Sequence, residues 1–137
     1  VRLRKTTKVD LIGRVPLFAE CSKGELGKVA AVADELSLGA EAVLMREGER
    51  GREFVVIVEG IARVERGGGR IATLGPGDFA GEIALVANVP RTATVVADTP
   101  VRLLVLSDRS FQTVIRETPS IAVKVLSVLG ERLAAQG

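Results

Sequence analysis

A β jelly-roll barrel (a double-stranded β-helix) flanked by helices, a mixed α+β architecture, is the fold class this sequence predicts. Three observations point to it. Between Leu36 and Leu106, short apolar runs rich in Val and Ile alternate with glycine turns at near-regular spacing, as in a sandwich or barrel. On either side of that stretch the apolar residues switch to helical spacing, behind start signals at Ser22 and Thr118-Pro119. The 137 residues, 47% apolar and 26% charged, suffice for one domain with a real core.

The expected order is N-terminal helices over 9–35, a jelly roll over 36–106 and two helices over 108–136. Ahead of them Arg2, Arg4, Lys5 and Lys8 form a basic tail, either a solvated arm or a contact for phosphate or membrane. Val9 to Ile12 suits a short helix that Pro16 stops. Ser22-Lys23-Gly24-Glu25 has capping-box spacing, and Leu26, Val29, Ala30 and Ala33 follow on one helical face. Ala42 to Met45 reads as a strand. Glu47 to Gly51 reads as a turn whose glycines supply positive φ. Phe54 to Val58 is an unbroken apolar run, the mark of a strand buried on both faces. Gly60 interrupts it, Ile61 to Arg66 alternate, and the triplet Gly67-Gly68-Gly69 suits a hairpin turn before Ile71 to Leu74. Gly75-Pro76-Gly77-Asp78 is another turn. Thr94 to Ala97 and Val101 to Leu106 suggest a last hairpin around Asp98-Thr99-Pro100.

After Leu106, Ser107 or Asp108 can cap a helix through Phe111, Val114 and Ile115. Thr118-Pro119 then opens a final helix of about 15 residues, or ~22 Å. Its stripe (Ile121, Ala122, Val125, Leu126, Val128, Leu129, Leu133) is two rows wide. Core packing explains such a stripe, and so does a seam for a second copy or another protein.

Composition narrows the chemistry. With no histidine, Ser-His-Asp and Cys-His triads are excluded, and so are the His-based metal sites of jelly-roll enzymes. The single Cys21 makes neither an internal disulfide nor a thiolate zinc site, and fits a reducing cytoplasm. Lys plus Arg total 19 against 17 for Asp plus Glu, too balanced for bulk nucleic-acid binding. No apolar run approaches the ~18 residues of a membrane span. The first residues lack the apolar core of a signal peptide.

One stretch carries chemistry. In 79–97, Gly81 to Val86 read as a turn entering a short helix, whose free N–H groups and positive dipole end suit a phosphate. Gly81 lets a ligand approach the backbone, and Arg91 adds a guanidinium fork for phosphate oxygens. Glu82, an anion, suits a sugar hydroxyl instead. The competing reading is a structural Glu82–Arg91 ion pair.

Three segments resemble the cyclic nucleotide-binding domain, the sensor of catabolite-activator-type regulators, cyclic-nucleotide-dependent kinases and cyclic-nucleotide-gated channels. Val15-Pro16-Leu17-Phe18 resembles the family's lead-in helix. Leu44 to Gly60 (LMREGERGREFVVIVEG) resembles its early strand–turn–strand signature. Gly81-Glu82-Ile83-Ala84-Leu85, a five-residue spacer and Arg91-Thr92-Ala93-Thr94-Val95 resemble its phosphate-binding cassette. The resemblance implies a non-enzymatic sensor with no cofactor other than cAMP or cGMP as regulatory ligand. It implies that Glu82 holds the ribose 2′-hydroxyl and that Arg91 pairs with the cyclic phosphate, helped by N–H groups at Ala84, Leu85 and Ala93. Thr92 is either a guanine contact, admitting cGMP, or simply a strand-start residue. Arg132 and Gln136 fall where the family places a lid over the base, although Arg132 also suits a surface charge. Met45 and Ala80 depart from the family pattern, in packing and in the pocket wall. The helix-turn-helix of a DNA-binding regulator is missing, so the sequence suggests a bacterial stand-alone sensor or a part of a larger protein. A degenerate jelly roll that serves protein interaction without nucleotide is the other expectation.

Overall fold

The computed structural model describes residues 9–10, 12–81 and 89–136. Two four-stranded antiparallel sheets form a jelly-roll-like body, with helices packed at both chain ends. The strands are β1 (Asp34–Leu38), β2 (Val43–Met45), β3 (Glu53–Glu59), β4 (Ala62–Arg66), β5 (Gly69–Leu74), β6 (Phe79–Ala80), β7 (Thr94–Ala97) and β8 (Val101–Ser107). One sheet runs β1-β8-β3-β6 and the other β2-β7-β4-β5. The helices are α1 (Lys23–Val32), α2 (Asp108–Glu117) and α3 (Pro119–Gln136). Residues 9, 10, 12 and 13 are also helical, and Pro16–Phe18 form a 3-10 turn. The basic tail at Arg2, Arg4, Lys5 and Lys8 lies outside the described residues.

Two apolar cores explain the unbroken run in β3. Phe54 and Val56 face the helices, where they meet Phe18, Val29, Phe111 and Ile121. Val55 and Ile57 face between the sheets, against Ala62, Val95 and Leu103. A strand buried on both faces has no need of polar alternation, and Phe54 to Ile57 are each at most 5% exposed. β8 divides the same way, with Leu104 and Leu106 toward the helices and Val101 and Leu103 between the sheets.

Helix boundaries follow local chemistry. Ser22 and Glu25 form the reciprocal capping box, with bonds of 3.2 and 2.8 Å. Ser107 caps α2 by accepting from Ser110 N–H at 3.1 Å. α3 starts at Pro119 as expected, directly behind the α2 C-cap Thr118, and continues through Gln136, so it has 18 residues rather than about 15. Its stripe divides: Ile121 and Val125 enter the core at 2% exposure, while Leu126 stands 62% exposed, and Val123, outside the stripe, is 65% exposed. The Leu133 side chain lies outside what the structure describes. No helix among the described residues is long and apolar enough to cross a membrane.

Three expectations change. The first strand starts at Asp34, two residues ahead of the expected barrel boundary, because α1 stops at Val32 and Ala33 is already extended. Phe79–Ala80 form a short strand on β3, which two residues of sequence do not announce. The last hairpin is not a hairpin. β7 pairs with β2 and β4 in one sheet, and β8 pairs with β1 and β3 in the other. The intervening corner is tied across to Ile61: Asp98 and Thr99 N–H donate to the Ile61 carbonyl at 2.8 and 3.2 Å, and Ile61 N–H donates to Thr99 Oγ1 at 2.9 Å. Ile61 follows Gly60, where the chain leaves β3 for the other sheet. A Cβ on Gly60 would sit 2.3 Å from the Pro100 carbonyl oxygen, so the two sheet-changing corners nest only without a side chain there.

Arg63 on β4 fastens this region from outside. It reaches Glu41, Glu65 and Asp98 at 2.8, 2.7 and 2.6 Å, and Arg70 adds a bond to Asp98 at 3.1 Å. The hydrogen bonds from Arg63 hold the Glu41 and Asp98 carboxyls below their ordinary 4.5 and 3.8. Carboxyls lowered by folding add stability above their unfolded values and lose it as pH falls through the folded ones. Arg63→Met is therefore expected to lower the urea midpoint at about pH 7 and to approach wild type near pH 3. An equal deficit at both pH values would refute that role for the cluster.

Candidate functional site

β6 ends at Ala80, and the site begins at the next residue, Gly81. Gly81 has φ +102°, and a Cβ on it would lie 2.6 Å from the Glu53 carbonyl oxygen and 2.8 Å from Arg91 Nη1. Only glycine suits that backbone and that space. Residues 82–88 lie outside the described part, so the short helix expected from Glu82 to Val86 is not described. The chain returns at Val89-Pro90-Arg91.

Arg91 is fixed at its backbone first. Its N–H donates to the Glu49 carbonyl at 2.9 Å, and its carbonyl accepts from Gly48 N–H at 2.8 Å. That pair of bonds ties the far end of the cassette to the β2–β3 turn. The side chain then runs inward and is only 5% exposed. Nη2 donates to the Glu53 carbonyl at 2.8 Å and Nη1 to the Gly81 carbonyl at 3.3 Å. A buried guanidinium needs such partners, since desolvating a charge is costly. The strand start of β3 and the end of β6 thus hold one cation between them.

Around it, Arg66 Nε donates to the Thr92 carbonyl at 2.9 Å, Glu47 N–H to Thr94 Oγ1 at 2.9 Å, and Gly67 N–H to Glu47 Oε1 at 3.1 Å. Thr92 is exposed, and Ala93 is buried at 8%. From the C-terminal side Arg132 of α3 reaches β6: Nη2 donates to the Phe79 carbonyl at 2.5 Å, and its guanidinium carbon lies 5.0 Å from the Phe79 ring centroid. Phe79 packs on Phe54 at 5.3 Å between centroids, and Phe54 on Phe111 of α2 at 4.6 Å. A line of contacts therefore runs from α3 through β6 and β3 to α2.

Residues 35–118 match the family described as the cyclic nucleotide-binding domain. The chain belongs to this family. It is 38% identical over 113 residues to a cyclic nucleotide-gated potassium channel of Mesorhizobium japonicum, a match covering 82% of the chain and 31% of the channel. It is 38% identical over 106 residues to a cAMP-dependent protein kinase regulatory subunit of Mycosarcoma maydis, covering 71% of the chain and 20% of that protein. The Thermus thermophilus catabolite activator protein superposes with TM-score 0.79 at 26% identity, over 88% of this chain and 59% of that one. The domain spans about a third or less of the curated relatives named here.

Within this cyclic nucleotide-binding domain, Gly81 and Arg91 meet directly, with Thr92 and Ala93 continuing toward β7. Glu82, Ile83, Ala84 and Leu85 lie outside the described residues. Gln136 falls in the last turn of α3, and its side chain is not described. Arg132 is neither a free surface charge nor remote from the cassette, since it contacts the strand that leads into it. The Glu53 carbonyl, Arg66 and Gly51 were not foreseen. Main-chain acceptors leave no mark in a sequence, and neither Arg66 nor Gly51 shows there which distant residue it will meet.

Gly51 corrects the reading of its turn. Gly48 does adopt positive φ, at 87°, but Gly51 is not among the positive-φ glycines. Its constraint is space: a Cβ there would sit 1.6 Å from Arg91 Nε. For Gly81 both constraints apply, so Gly81→Ala is expected to cost about 2 kcal/mol or more in a urea melt. A wild-type midpoint in that variant would contradict the geometry given for the β6 end.

Proposed function

We propose that this domain is a non-enzymatic sensor of a cyclic mononucleotide, cAMP first and cGMP second. The observation that supports this most is the buried Arg91 guanidinium at the cassette, in a chain whose family is the cyclic nucleotide-binding domain. Arg91 would take the cyclic phosphate, with N–H groups at Ala84, Leu85 and Ala93. Glu82 would accept from the ribose 2′-hydroxyl, and Gly81 and Ile83 would shape the wall between them. Thr92, exposed beside Arg91, would add a guanine contact in cGMP. Neither reaction steps nor a cofactor enter this reading.

Output would run through the C-terminal helices. Phosphate engagement would tighten the cassette and shift Phe79, and the contacts of Phe79 with Arg132 and Phe54 would draw α3 and α2 inward. Arg132 and Gln136 would then cover the base. Ligand drives this shift only by binding the closed state more tightly than the open one. The exposed pair Val123 and Leu126 supports a partner on the outer row of α3, either a second copy or the effector. That effector would be another part of a longer protein or a separate chain, in the cytoplasm.

Two experiments test this. Calorimetric melts with saturating cAMP, saturating cGMP and no ligand are expected to show stabilisation of wild type, about 2.7 kcal/mol at a hundredfold excess over Kd. Arg91→Ala is expected to bind about tenfold to a hundredfold more weakly. Equal melting temperatures with and without both nucleotides would leave the degenerate interaction module as the better reading. In sedimentation, Leu126→Glu is expected to lower the mass of any homodimer while leaving nucleotide affinity unchanged. An unchanged dimer would place the seam elsewhere.

A further inference from the structure

We propose that Gly51 is the positioning residue for Arg91, holding the guanidinium in its cradle by having no side chain. An ideal Cβ on Gly51 would lie 1.6 Å from Arg91 Nε, 1.9 Å from Cζ and 2.3 Å from Nη2. The face of the guanidinium therefore rests against the Gly51 main chain. Its edge is held at the same time by the Glu53 and Gly81 carbonyls, at 2.8 and 3.3 Å. Three backbone segments thus form a socket for one cation: the β2–β3 turn, the start of β3 and the end of β6.

The other glycines of the region do different work. Gly48, in the same turn, meets nothing within 4 Å of its ideal Cβ but has φ +87°, so its requirement is conformational. Gly81 is constrained by φ +102° and by contact with the Glu53 carbonyl as well as with Arg91. Gly51 alone of the three has a backbone that alanine can adopt, and the atoms its methyl would strike belong to a flexible side chain. In Gly51→Ala the guanidinium must yield while the backbone stays. That makes the position a selective control on the cassette cation.

The consequence for ligand rests on the cyclic phosphate reading above, whereas the socket itself does not. With Gly51 in place, the guanidinium is oriented before ligand arrives, and less ordering is left for binding to supply. With alanine there, Arg91 must leave at least part of its carbonyl cradle, and phosphate meets a misplaced cation.

The test follows the Arg91 side chain by NMR in protein free of nucleotide. The Arg91 Nε–H signal is assigned by its loss in Arg91→Lys. In wild type and in Gly39→Ala, a control glycine with nothing within 4 Å, it is expected to exchange slowly with water. In Gly51→Ala it is expected to shift and to exchange at least about tenfold faster. A wild-type shift and exchange rate in Gly51→Ala would overturn the proposal. If Gly51→Ala proves too unstable for NMR, a double-mutant cycle decides: its loss of stability should largely vanish in an Arg91→Ala background, and an equal loss in both backgrounds would overturn the proposal. In titrations, Gly51→Ala should weaken cAMP about tenfold to a hundredfold. Wild type that binds neither cAMP nor cGMP would remove the nucleotide reading, while the Nε–H signal still decides the role of Gly51.

Discussion

A guanidinium buried among backbone carbonyls is the constraint on which the site depends. Arg91 keeps its charge at any ordinary pH, so removing it from water must be offset by acceptors fixed in place. The protein supplies the Glu53 and Gly81 carbonyls, from strands brought together by the pairing of β3 with β6. Much else is arranged around that need. β6 is only two residues long yet carries Phe79 into the helix-side core and presents Gly81 to the cation. Gly48 and Glu49 hold the Arg91 main chain, so the side chain starts from a known point.

The same strands connect the site to the chain ends. β3 is shared by both cores, and Phe54 stands between Phe79 of β6 and Phe111 of α2. Arg132 joins α3 to the other side of Phe79. Phe79 thus contacts α3 directly through Arg132, and reaches α2 through Phe54. In the proposed sensor, these packed rings would transmit a displacement of the cassette, because the interior has little free volume to absorb it. The ion cluster around Arg63 lies on the other sheet and braces the corner at Asp98.

Most of the fold was legible in the sequence where local chemistry decides it. The capping box at Ser22 and Glu25, the doubly buried β3 and the β4–β5 hairpin at Gly67-Gly68 each follow from a few neighbouring residues. The partner of β7 was not legible, because a short loop between two strands looks the same whether it closes a hairpin or crosses between sheets. Only the bonds from Asp98 and Thr99 to Ile61, far off in sequence, distinguish the two. In the site, Gly81 and Arg91 were legible through their spacing and the cassette they form. Gly51 was misread as a φ requirement because its actual constraint is a side chain forty positions later, and Glu53 was invisible because it contributes a carbonyl.

We propose Arg91, held by its backbone socket, as the group that takes a cyclic phosphate. A crystal structure of the protein with cAMP tests it most directly. A phosphate oxygen is expected within about 2.7–2.9 Å of an Arg91 guanidinium nitrogen, as charge-assisted bonds require. A nucleotide bound with its phosphate away from Arg91, or an empty cassette at millimolar cAMP, would contradict it.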